Sequence, residues 1–150
     1  MGSIDIDKTD ECIKYFESII KDEPVEHAIV IDKQGNVLHF IGNASNVNIY
    51  DFDADGAHIT HNHPLANVTL SFGEDDFYFL QANQNIASFR CVNAKYTYSI
   101  ELLKSLDDVS YSEVYLEAMK SIDQNDDNID LQDIAMQILD ARGYIRYEKR

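Results

Sequence analysis

Cations are scarce in this chain. Twelve lysines and arginines face 27 aspartates and glutamates over 150 residues, a formal charge of −15. Binding to nucleic acid draws on clustered Lys and Arg set against phosphate, and no such cluster occurs, so a nucleic-acid surface is excluded. The excess of acid suits solubility first and a basic partner second. Cysteine is equally sparse. Cys12 and Cys91 are too few and too widely separated to read as a disulfide framework or a thiolate metal site. Both are expected as reduced core residues of a cytoplasmic protein. No apolar run approaches the ~20 residues of a membrane span, and the N-terminus lacks the charged-then-apolar order of a signal peptide. Met1-Gly2 opens like a myristoylation signal, but Ile6 stands where Ser or Thr is needed. Low-complexity tracts and internal repeats are also missing.

What is present fits one domain with a real core. Cys12, Ile13, Phe16, Ile19 and Ile20 recur at helical spacing between Asp10 and Lys21, with Thr9 as the expected N-cap. Glu26 to Asp32 reads as a buried strand, turned at Gly35-Asn36 into a partner strand over Val37 to Ile41. Val47 to Phe52 reads as a short edge strand. Ser71 is placed to cap a helix over Glu74 to Asn83. Strands are expected over Ile86 to Val92 and Tyr96 to Leu102, and a helix over Val109 to Ile122. Asp123-Gln124-Asn125-Asp126-Asp127-Asn128 fails as a calcium loop, because Asn128 replaces the required Gly and Ile134 the terminal Glu. It reads as a solvated turn before a helix over Asp130 to Arg142, closed by Gly143, and Tyr144 to Tyr147 is expected as a last strand. The expected class is α+β, with a largely antiparallel sheet flanked by helices.

The chemistry concentrates in His61-Asn62-His63-Pro64 and the acids behind it, Glu74-Asp75-Asp76. The lead-in from Gly56 to Thr60 reads as a strand, and side chains alternate faces along a strand. His61 and His63 therefore share a face, while His58, three residues earlier, lies on the other. Two imidazoles on one face and a carboxylate from the next element give three protein ligands for a divalent ion. The fourth position stays open to water, as in a catalytic zinc site. His27 and His39 have no spacing that suggests a ligand.

Glu26 on an early strand, a hairpin, His-x-His-Pro, and then Ser71 with trailing acids together resemble the JAB/JAMM (MPN-type) metalloprotease superfamily. The His-Asn-His-Pro form is most similar to its RadC-like and phage-associated branches. The similarity covers roughly residues 25–80. It implies a JAB/MPN-like (cytidine-deaminase-like) fold, with a core over about 10–105 and a helical extension over 106–150 inside one domain of 1–150. It also implies one zinc ion on His61, His63 and an acid, with Glu26 as general base and Ser71 helping to stabilise the oxyanion. Strict Ser-x-x-Asp spacing puts Glu74 in the ligand place. A register two residues longer puts Gly73 in the Ser place and Asp76 in the ligand place. Asp76 is favoured because the apolar Phe77 follows it, with Glu74 as the alternative and Asp75 third; that register puts the role of Ser71 in doubt.

Two functions follow. One is a zinc-dependent peptidase or isopeptidase acting on a protein or peptide, for which ubiquitin-like proteins, small amino-acid conjugates and cell-wall peptides are all compatible. The other is a catalytically inert binding or scaffold module of the same fold, in a phage or mobile-element setting. The string His-Asn-His does not make a nuclease, because the residues of that motif are dispersed over a ββα unit.

Overall fold

The computed structural model describes residues 2–64, 70–122 and 130–150. Seven strands form one mixed sheet in the order β1-β3-β2-β4-β5-β6-β7: β1 (Gly2–Ser3), β2 (His27–Ile31), β3 (Asn36–Ile41), β4 (His58–Asn62), β5 (Ser88–Val92), β6 (Thr97–Leu102) and β7 (Ile145–Lys149). Every neighbouring pair is antiparallel except β4 and β5. Among the described residues four α-helices accompany it: α1 (Thr9–Ile20), α2 (Glu74–Ala82), α3 (Tyr111–Lys120) and α4 (Leu131–Ala141). The α+β class and the mainly antiparallel sheet agree with the reading of the sequence.

The β2–β3 hairpin turns where expected, because Gly35 takes φ +87, a left-handed conformation that a side chain resists. Asp32 locks the turn by accepting from the amides of Gln34 and Asn36, both at 2.9 Å. The parallel β4–β5 pair needs a crossover, and α2 supplies it.

The two faces of the sheet bury different things. Ile13 of α1 packs with Ile29, Ile31 and Val37 on one face. On the other, Val30, Ile59, Phe89, Tyr98 and Ile100 meet Phe77 and Leu80 of α2, Tyr111 and Val114 of α3, and Met136 and Leu139 of α4. Residues 106–150 thus supply two helices to the main core and the edge strand β7.

Three expectations need correction. Val47 to Phe52 is not a strand: it joins no ladder of the sheet, and its backbone bends at Asp51, which takes a left-handed φ of 51. The segment lies over the sheet instead, with Ile49 and Phe52 packed on the main core. Thr9 is the first residue of α1 and not its cap; its hydroxyl donates back to the Ile6 carbonyl at 2.7 Å, closing a 3-10 turn over Ile6–Lys8. Gly73, and not Ser71, is the N-cap of α2. The rejected calcium loop and most of the stretch from Pro64 to Leu70 lie outside the described residues.

Candidate metal centre

Strand β4 aims its residues in alternation, and the two sides do different work. Thr60 faces α1 and donates to the carboxylate of Glu17 at 2.6 Å. Arg90 grips the same carboxylate at 2.8 and 2.9 Å, so a buried charge is paired and satisfied behind the strand. His58 shares that side and bonds Ser88 at 2.7 Å, away from the other imidazoles, as its parity requires. His27 and His39 bond each other at 2.9 Å.

On the opposite side His61 and His63 turn towards the N-terminus of α2. Their Nε2 atoms lie 3.2 Å apart. Asp76 completes the triangle, with Oδ1 at 3.0 Å from His61 Nε2 and Oδ2 at 3.2 Å from His63 Nε2. The helix phase explains the choice of acid. Gly73 as N-cap makes Asp76 the third helical residue, whose side chain folds back to the cap; Oδ2 accepts from the Gly73 amide at 3.1 Å. Glu74 and Asp75 are exposed on the rim. The structure thus brings together His61, His63 and Asp76, the longer of the two registers, and not Glu74.

Burial disfavours charge on Asp76, but the two imidazoles outweigh it and hold the carboxyl well below the usual carboxylate range. His63 is the mirror case. Burial opposes its protonation, yet Asp76 and the Leu70 carbonyl raise it to about 9. Glu26 sits directly across from His63 at the mouth of β2, since Ala28 pairs with His61 in this antiparallel ladder. It is 7 % exposed, and burial raises its carboxyl against the lowering effect of His61 and His63. Asn62, buried between the histidines, holds Glu26 there. Its Oδ1 accepts from the His27 amide at 2.5 Å and its Nδ2 donates to the Val25 carbonyl at 2.9 Å, clamping the chain on both sides of residue 26.

The donor set fits a tetrahedral zinc ion. Bonds of about 2.0–2.2 Å to nitrogen and oxygen imply ligand atoms about 3.3–3.6 Å apart, and the slightly closer 3.0–3.2 Å is seen. His63 Nδ1 bonds the Leu70 carbonyl at 2.8 Å, the outer contact that frees Nε2 as a ligand. His61 Nδ1 is buried without a hydrogen-bond partner among the described residues. Cys91 also enters the group, its sulfur within 4.8 Å of the ligand atoms of His61 and His63, so that His61, His63 and Cys91 could hold a metal ion. Cys91 is free and fully buried in the core, as expected. Thirty residues separate Cys91 from His61 in sequence, but β4 and β5 pair them side by side.

Ser71 is placed differently. It is fully buried; its amide donates to Asp130 Oδ2 at 2.8 Å and its hydroxyl meets Tyr147 at 2.7 Å. Tyr147 in turn donates to Asp133 at 2.6 Å, so the Ser71 hydroxyl serves as donor to Tyr147. Above the imidazoles opens a cavity of about 550 Å³, walled by Val47 and Ile49 on one side and by Gly73, Asp75 and Gln132 on another, with Glu26 at its edge. Ser71 is not part of its wall. Nothing in the sequence marked Asn62 or Gln132 for this place; the order of strands and the docking of α4 put them there.

No family model matches this chain, and neither a curated protein nor a solved structure does. Among the described residues no helix is long and apolar enough to cross a membrane.

Proposed function

We propose that this protein is a zinc-dependent amide hydrolase, a metallopeptidase or isopeptidase of JAB/JAMM type working in the cytoplasm. One observation carries the reading: two imidazole nitrogens and a carboxylate converge within 3.0–3.2 Å of one another at the floor of an open cavity, with Glu26 buried beside them. The order Glu26, hairpin, His-Asn-His-Pro and Asp76, by which the sequence resembles that superfamily, supports it.

His61, His63 and Asp76 would hold the ion, with the Cys91 thiol close by. When bound, zinc supplies a water acidic enough to attack at neutral pH and polarises the substrate carbonyl. Glu26 accepts the proton of the attacking water, a task suited to a carboxyl whose affinity for protons burial has raised. The water oxygen forms the new C–O bond, the C–N bond breaks, and Glu26 returns its proton to the leaving nitrogen. The products are one carboxylic acid and one amine. Asn62 fixes the distance over which Glu26 works. The wall carries Glu74 and Asp75 and no lysine or arginine among the described residues, so the substrate class that fits is a peptide or modifier tail with positive charge near the scissile bond.

The test is elemental analysis joined to a hydrolysis panel of basic peptides and lysine-linked isopeptides. One zinc per chain is expected, lost in His61→Ala and His63→Ala, and Glu26→Gln should retain the metal while abolishing cleavage. A folded chain that takes up no zinc overturns the proposal. The second reading, an inert binding module, draws on Ser71: its hydroxyl is committed to Tyr147 and Gly73 offers none. Metal bound without cleavage, and Glu26→Gln indistinguishable from the parent, would favour that reading.

A further inference from the structure

Of the neutral hydrogen-bond donors that line the cavity, Ser45 and Asn46 are exposed to solvent and the Ser45 hydroxyl already donates to Asn43 Oδ1 at 3.1 Å, whereas Gln132 is half-buried. Beside the imidazoles stand carboxylates, which accept only, and the residue next to Asp76 at the helix cap is Gly73, which has no side chain. Across Gly73 stands Gln132. A Cβ built on Gly73 would lie 3.3 Å from Gln132 Oε1 and 3.6 Å from its Nε2, so the carboxamide fills the space a side chain at 73 would take.

The position of Gln132 is fixed from behind. It is the second residue of α4, whose cap Asp130 accepts from the Asp133 amide through Oδ1 at 3.1 Å and from the Ser71 amide through Oδ2 at 2.8 Å. A second tie runs from the Ser71 hydroxyl through Tyr147 to Asp133. The start of α4 is thereby stapled twice to the stretch that leads into α2. Gln132 is half-buried, and its carboxamide has no hydrogen-bond partner among the described residues. A half-buried amide held rigidly on a cavity wall with its donors unspent is arranged for a ligand.

We propose that Gln132 is a substrate-binding catalytic residue: its carboxamide N–H donates to the oxygen of the scissile carbonyl, a role that Ser71 and Gly73 do not fill. The inference rests on the hydrolase reading and deepens it, since it makes the C-terminal helices part of the site. A neutral donor suits this wall, where a lysine or arginine would be drawn to the neighbouring carboxylates.

The experiment uses the full chain loaded with zinc and acetohydroxamate as the probe, whose carbonyl oxygen stands in for that of the substrate. Its affinity is measured by calorimetry for the parent, Gln132→Ala, Gln132→Glu and Gln132→Ala/Gly73→Ser. Gln132→Ala should weaken binding about five- to tenfold, with zinc content and Tm unchanged. Gln132→Glu, the same shape with an acceptor in place of the donor, should weaken it further. Gly73→Ser, placed in the space that Gln132→Ala opens, should recover part of the loss. If the zinc-loaded parent does not bind the probe, or if both Gln132 variants bind it as the parent does, this inference is overturned while the hydrolase reading stands. A chain that takes up no zinc overturns both.

Discussion

Zinc uptake should be coupled to the loss of a proton from His63, and the size of that coupling is set by Asp76. In the protein without metal the His63–Asp76 contact at 3.2 Å raises the imidazole to about 9. At pH 7 roughly 99 % of such a group is protonated, against about a quarter at the ordinary value near 6.5. A ligand must give up its proton to bind, so at pH 7 His63 alone should release about one proton per zinc. Apparent affinity then scales with the deprotonated fraction. Between pH 7 and pH 8 it should rise about ninefold, close to the 1.4 kcal/mol that a tenfold change represents, whereas an ordinary imidazole would give about 1.3-fold. Competition titration with a chromophoric chelator at both pH values measures the ratio. Calorimetry in buffers of different ionisation enthalpy counts the proton directly. Asp76→Asn keeps the shape and removes the charge, so it should cut both the proton release at pH 7 and the affinity. A parent ratio below about twofold would refute the assignment of His63 and Asp76 as one coupled pair of ligands.

Three further outcomes are expected. In chelator-treated protein, the stability that protonated His63 contributes is complete below its unfolded value near 6.5 and is lost as pH rises through about 9, so Tm should fall over that window; a flat profile counts against the contact. Arg90→Ala leaves the buried Glu17 carboxylate with Thr60 alone and should cost about 3–5 kcal/mol, a Tm loss of roughly 6–20 °C by thermal melt. Glu17→Leu/Arg90→Leu should recover most of it, because the charge and its partner leave together. Asn62→Ala frees the chain around Glu26, and should cost about 2–3 kcal/mol while sparing zinc content and lowering hydrolysis at least tenfold; hydrolysis unchanged would remove Asn62 as the residue that positions Glu26.

Much of this was legible in the residues, for reasons that differ by element. Strands β2 to β6 and the four helices announce themselves through periodicity and through Gly35 and Gly143, which act locally. Parity along β4 assigned His61 and His63 to one face and His58 to the other without knowledge of any neighbour. The failures lie where a neighbour decides. Val47 to Phe52 has the alternation of a strand, but the left-handed bend at Asp51 breaks its extended backbone and the segment packs over the core instead of joining the sheet. Cys91 is the core thiol expected, and only the parallel run of β5 beside β4 reveals that it also pairs with His61. Glu17 falls on the buried stripe of α1 as a charge, intelligible only with Arg90 and Thr60 opposite.

The run of three acids shows where the boundary falls. Counting from Ser71 cannot choose among Glu74, Asp75 and Asp76, because each is a carboxylate and spacing alone carries no direction. The start of α2 does choose. With Gly73 at the cap, the third helical residue is the one whose side chain returns towards the preceding strand, and that residue is Asp76. The first two point outward, where the structure leaves them on the rim. A capping residue at 71 would have turned the helix by two positions, about 200°, and aimed Glu74 inward instead. The Ser71 hydroxyl and amide are committed to Tyr147 and Asp130, so they are not free to cap the helix. The packing of the C-terminal elements against Ser71 therefore sets the phase of α2, and through it which carboxylate meets the imidazoles.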